Sequence, residues 1–206
     1  MAIEIRVPEL KRYIAEFTIE GITGYLGGAM PEDALPEAGD EAGPKAKKAK
    51  PTPDAAMQGR RHLLEPERDN ATDGIPAAAF AGALISACRQ TKIKMTEARG
   101  IFYVLGGPDG LLPIIGEGPV LSRMQGCNPN KRGCRVHIYR PLWPEWQCTI
   151  PVEYNPDLIS LSELAALFRM AGSVVGVGDA RPEKCPGLAY GRFAVVKVDD
   201  LGSAGV

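Results

Sequence analysis

A chain of 206 residues with 45% hydrophobic and 24% charged residues can bury one sizeable core and is short for two ordinary domains. Its net charge of -1 excludes whole-molecule attraction to a polyanion, so a nucleic-acid role has to rest on a local basic surface. Five cysteines behind a start that lacks the basic end and apolar core of a signal peptide suit a reducing cytoplasm better than a disulfide framework. No apolar run approaches the roughly 20 residues that span a bilayer. The expectation is a single soluble, cytoplasmic domain over residues 1–206, with insertions and no membrane partner.

Tyr13 to Glu20 alternate, with Tyr13, Ala15, Phe17 and Ile19 on one face, as in a half-buried strand. From about residue 27 to 74 acids give way to lysines (Lys45, Lys47, Lys48, Lys50), then to prolines and arginines, with little to build a core. The composition predicts a mobile insertion. Its basic run admits two readings, an arm reaching for phosphate or a solvated loop whose field the preceding acids cancel. In GIPAAAFAGALISACRQ, Pro76 suits a first helical position, and Phe80, Leu84 and Ala87 recur at helical spacing. Ile101 to Leu105 and Leu111 to Ile115, on either side of GGPDG, read as a strand hairpin or a bulged strand.

A second, smaller insertion is expected at about 116–134, ending in the polar GCNPNKRGC with Lys131 and Arg132. Arg135, His137 and Tyr139 then alternate with Val136 and Ile138, and Trp146 to Tyr154 forms a further strand beyond Pro141 and Pro144. Ser160 and Glu163 have capping-box spacing ahead of the stripe Leu161, Leu164, Leu167 and Phe168. Arg192 to Val198 closes the pattern as a strand. The order strand, helix, strand, strand, helix, strand predicts an α+β fold of ferredoxin-like, RRM-type βαββαβ arrangement with long insertions. Such a sheet has one uncovered face, where single strands stack on aromatic rings beside basic side chains. Arg135, His137 and Tyr139 are the candidates for that face, although a half-exposed strand also carries such residues without a ligand.

The most informative stretch is AGSVVGVGDARPEKCPGLAYGRFAVV, from Ala171 to Val196. Gly172, Gly176, Gly178, Gly187 and Gly191 remove side chains where a backbone turns tightly or nears a ligand, and Arg181, Lys184 and Arg192 add charge. Amides in such a loop can face phosphate oxygens, neighbouring cations add charge-assisted bonds, and Tyr190 can stack on a base. A tight loop that only closes the sheet, with Tyr190 and Phe193 in the core, is the competing reading.

The helix GIPAAAFAGALISACR resembles the Gly/Pro-led helix of RAMP-superfamily proteins, and GVGDARPEKCPGLAYGRFAVV resembles their glycine-rich loop, with an aromatic-Gly-Arg step into a strand. The pair is similar to that of backbone subunits of CRISPR effector complexes, whose modified RRM fold lines a guide RNA, and to that of some phage and prophage proteins. The chain departs from the pattern at Ala77, Ala78, Ala79 and Ala81, where small hydroxylated or basic residues are usual, and at Pro182 and Pro186, which stiffen the loop. The resemblance implies a non-enzymatic protein coating single-stranded RNA or DNA, as a homo-oligomer or as a subunit of a ribonucleoprotein-like assembly. The alternative is a scaffold subunit that binds other proteins and no nucleic acid.

No catalytic residue, cofactor or metal is expected. The two histidines are His62, in the first insertion, and His137. Some RAMP relatives cleave RNA with a histidine base, which makes His137 the candidate if an endonuclease is present. Cys127 and Cys134 are spaced too widely for a usual zinc pair. GVGDAR follows a helix rather than opening one, unlike a dinucleotide-binding fingerprint.

Overall fold

Alternation in YIAEFTIEG builds strand β1 (Tyr13–Gly21), where Ala15, Phe17 and Ile19 have no exposed surface. A computed structural model describes residues 11–29, 51–68, 71–107, 109–127, 135–185 and 187–203. After β1 come β2 (Tyr25–Leu26), α1 (Pro53–Gln58), β3 (Leu63–Leu64), β4 (Thr72–Pro76), α2 (Ala77–Ala87), α3 (Met95–Ile101) and β5 (Phe102–Val104). They are followed by β6 (Leu111–Pro113), β7 (Val120–Cys127), β8 (Arg135–Trp143), β9 (Gln147–Tyr154), α4 (Leu161–Met170), a π-helical turn at Ala171–Val175, and β10 (Phe193–Ser203).

Both helices and antiparallel sheets are present, so the fold is an α+β mixture. The largest sheet has the order β10-β1-β9-β5, with every neighbouring pair antiparallel. Its inner face is apolar because Phe17 stacks on Phe168 of α4 at 4.1 Å, while Phe80 of α2 meets Phe193 edge-on. Burial of each such ring contributes about 1.5–3 kcal/mol. The other face, away from α2 and α4, carries Glu16, Thr18, Glu20, Glu153, Lys197 and Asp199 by strand parity and register. Two smaller sheets have the orders β2-β8-β7 and β3-β4-β6.

Three expectations are corrected. Pro76 is the last residue of β4 and the cap of α2, because its ψ of 127 keeps it extended and it pairs with Leu111. The hairpin across GGPDG does not form: α3 runs through Ile101, β5 pairs with β9, and β6 pairs with β4. Phe102 and Leu112 are both buried, and each finds its cover in a different sheet. Arg135, His137 and Tyr139 do not lie on the largest sheet, because β8 takes β7 as its hairpin partner and only β9 continues beside β1.

The stretch between residues 27 and 74 carries α1 and β3 in its described part. Met57 is buried there, and Arg61 makes a two-pronged ion pair with Asp73 at 2.7 and 2.8 Å. Lys45, Lys47, Lys48, Lys131 and Arg132 lie outside the described residues. No helix among the described residues is long and apolar enough to cross a membrane.

Candidate nucleic-acid interface

The glycine loop begins where α4 ends. Ser160 and Glu163 cap that helix reciprocally, with the Glu163 amide donating to the Ser160 hydroxyl at 3.3 Å and the Ser160 amide donating to Glu163 at 2.8 Å. Beyond the π-helical turn the chain doubles back against β2 and the turn before it. The Val177 amide donates to Gly191 O at 2.9 Å, the Asp179 amide to Leu26 O at 2.9 Å, and the Gly191 amide to Gly24 O at 2.8 Å.

Gly191, at φ +67, lies so close to this neighbour that an added Cβ would be 1.8 Å from Val177 O. At Gly178, with φ +80, it would be 2.6 Å from Leu26 O. These glycines let the chain approach itself, and the amides of Gly176, Val177, Asp179 and Gly191 are all spent on its own carbonyls. The expectation that loop amides face phosphate is therefore corrected at these positions. Tyr25 lies beneath the loop, and burial first, then the nearby Asp179 carboxylate, raises its phenol above the usual tyrosine range.

Most of the loop's charged side chains are bonded to neighbouring groups. Arg181 donates through Nε and Nη2 to Glu183 Oε2 at 3.4 and 3.2 Å, and through Nη1 to Gly178 O at 3.3 Å. Glu183 reaches the end of α2, where its Oε1 accepts from the Ser86 hydroxyl and, at 3.3 Å, from Arg89 in the 3-10 turn Cys88–Gln90 that follows. The Ser86 hydrogen bond first, and the guanidinium groups after it, hold the Glu183 carboxyl below the usual glutamate range. Arg140 of β8 donates to Asp179 at 2.7 Å. Arg192 Nε donates to Ser173 O at 3.2 Å, Lys184 is exposed, and Tyr190 is half-buried. Of the five cations on or against the loop, Arg89, Arg140 and Arg181 pair with its two acids, Asp179 and Glu183.

The hairpin residues form a second group. His137 is exposed, with Arg123 Nε 3.2 Å from its Nδ1 and Arg123 Nη2 2.7 Å from its Nε2. A guanidinium only donates, so neutral His137 accepts at one of these nitrogens and not at both. Register places Arg123 opposite Tyr139 and Gln125 opposite His137, on one face of the β7–β8 ladder. Arg140 leaves the other face of β8 and meets the loop. The structure therefore joins Arg181 to Arg89 through Glu183 and ties Arg140 to the loop through Asp179, while Arg192 is bonded to Ser173 O, and His137 and Tyr139 lie on the other face of β8 from Arg140. Arg135 pairs with Cys127 along the ladder.

Sequence reasoning missed Arg140, Arg89 and Ser86. Ser86 and Arg89 are three residues apart across the end of α2 and the 3-10 turn that follows, a spacing that could have been noticed. Arg140 has the opposite parity to the group read as a face, and nothing in the sequence announces its partner.

No protein-family description matches the chain by sequence, and no curated protein matches it. Among solved structures it is similar to a chain in the cryo-EM structure of the Type III-B Cmr-beta bound to cognate target RNA. The identity is 14% and the TM-score 0.47, over 94% of this chain and 62% of that one, so this chain spans less than two thirds of that length.

Proposed function

We propose that this protein is a RAMP-like, non-enzymatic subunit that coats single-stranded RNA or DNA, built on a ferredoxin-like, RRM-type scaffold. The strand order supports the scaffold: if β1, β5, β9 and β10 are counted as the first to fourth strands of the βαββαβ pattern, their order across the sheet, β10-β1-β9-β5, is fourth, first, third, second, with two helices on one face. The strand runs along the loop side of the molecule, not across the sheet. The observation that carries this reading is the excess of cations at the glycine loop, against a sheet face that carries Glu16, Glu20, Glu153 and Asp199, where Arg12 pairs with Glu153 and Lys197 with Asp199. An acidic surface repels phosphate, and a cationic one releases counterions on contact with it. One small basic patch binds weakly alone, so repeated subunits on one strand supply avidity.

The test uses short fluorescent oligouridylate and oligothymidylate, which separate RNA from DNA. Binding to the wild-type protein weakens steeply with added salt. The Arg181→Ala, Lys184→Ala, Arg192→Ala triple variant loses at least about tenfold in affinity, while its melting temperature stays within about 2 °C. Unchanged binding by a folded triple variant removes the loop from the interface.

A scaffold role has its own observation. An open groove of about 710 Å³ is lined by Glu20, Glu117, Glu145, Ile22, Ile115 and Trp146, and Ile22 and Ile115 are 51% and 57% exposed. Acids beside exposed apolar side chains favour a basic protein surface. A purified protein with no nuclease-sensitive absorbance and no salt-sensitive strand binding supports this second reading.

A further inference from the structure

Glu183 is bonded more fully than the anchoring of a loop requires. Its two carboxylate oxygens take donors from two separate elements: Ser86 and Arg89 at Oε1, and both Nε and Nη2 of Arg181 at Oε2. Two guanidinium groups and a hydroxyl around one anion form a donor set that also fits a phosphodiester, whose two free oxygens match a carboxylate's fork. Two arginines share this single acid, so the cluster keeps a positive charge with Glu183 in place. The cluster is open to solvent, with side-chain exposures of 59% for Arg89 and 24% for both Arg181 and Glu183. The Glu183 amide donates to Val175 O at 3.4 Å, and rotation about the Glu183 side chain would clear the site while keeping that bond.

We infer that Ser86, Arg89 and Arg181 form a binding site for one phosphate of the strand, and that Glu183 occupies this site as an internal competitor until the strand displaces it. The inference rests on the nucleic-acid reading above and adds to it a named phosphate site and a built-in brake on binding. The brake acts by charge: the strand phosphate that enters must first displace the Glu183 carboxylate already held there. A loop anchor of purely structural purpose predicts the opposite response to loss of Glu183, because the loop would loosen and binding would fall.

The measurement is anisotropy of labelled oligouridylate and oligothymidylate over a salt series, with thermal unfolding alongside. Glu183→Gln keeps the side-chain shape and removes the charge. Its affinity is expected to rise about tenfold with little change in salt slope, because the same phosphate is neutralised in both proteins and only the competing carboxylate is lost. Adding Arg89→Ala to Glu183→Gln is expected to cancel the gain. If Glu183→Gln does not fold, Glu183→Asp, whose shorter arm cannot span both donor groups, is expected to show a smaller gain. Equal or weaker binding by the folded variant, when the wild type binds, overturns this inference and leaves the nucleic-acid reading standing. No salt-sensitive binding by either protein overturns both.

Discussion

A single methyl group at Gly191 would meet Val177 O at 1.8 Å, on a backbone whose φ of +67 already disfavours any side chain. Gly187 has a comparable φ of +90 but nothing within 4 Å of its added Cβ. Gly191→Ala is therefore expected to destabilise the protein by about 2–4 kcal/mol, and Gly187→Ala by only about 1–2 kcal/mol. Thermal unfolding of the two variants distinguishes them, and equal effects would show that backbone strain alone, not close approach, makes the loop need glycine. The need for glycine at these positions was legible in the sequence. What the backbone approaches was not, because closeness to a ligand and closeness to Leu26 or Val177 leave the same mark in a string of letters. Glu183 illustrates the same limit. Its proximity to Arg181 in sequence reads as a local ion pair, yet its bonds to Ser86 and Arg89 cross 97 and 94 residues of chain.

At the scale of elements, the segments that sequence alone described well are those whose pattern is repeated and locally sealed. In β1 the alternation of buried and partly exposed residues follows the letters, and α4 opens on the capping box that Ser160 and Glu163 announce. Ser160→Ala removes an acceptor for the Glu163 amide and is expected to cost about 1 kcal/mol. A melting temperature equal to that of the wild type would show that α4 is held by packing alone. Short strands were harder to read. β5 and β6 are three residues each, too short for periodicity to separate a hairpin from two strands that join different sheets. The same limit applies to β8, where the alternation of His137 and Tyr139 with their neighbours was visible but the partner strand β7 was hidden in a segment read as an insertion.

Across the whole molecule, a net charge of -1 conceals a separation of sign. Acids gather on the sheet face away from the helices, while cations gather around the loop that packs on α2. If the strand follows the loop, neutralising the acidic face with Glu16→Gln, Glu20→Gln and Asp199→Asn is expected to change affinity less than about threefold, since exposed charges farther than roughly 8 Å from a phosphate are screened at physiological salt. A larger gain, measured by the same anisotropy titration, would place the strand on the sheet. The layering itself follows from burial: the apolar stripe of α4 and Phe80 of α2 have one apolar sheet face to cover, and Phe17 and Phe193 supply it.

The alternation of β1, the positions that demand glycine and the capped start of α4 were determined by the sequence by itself, because each is written in residues close along the chain. Tertiary structure alone decided that β8 leaves the largest sheet, that Arg140 joins the loop while His137 and Tyr139 lie on the opposite face of β8, and that Glu183 meets Ser86 and Arg89 at the end of α2. Those outcomes depend on which distant segments meet, and strand pairing and ion pairing across a fold leave no periodic trace along the chain.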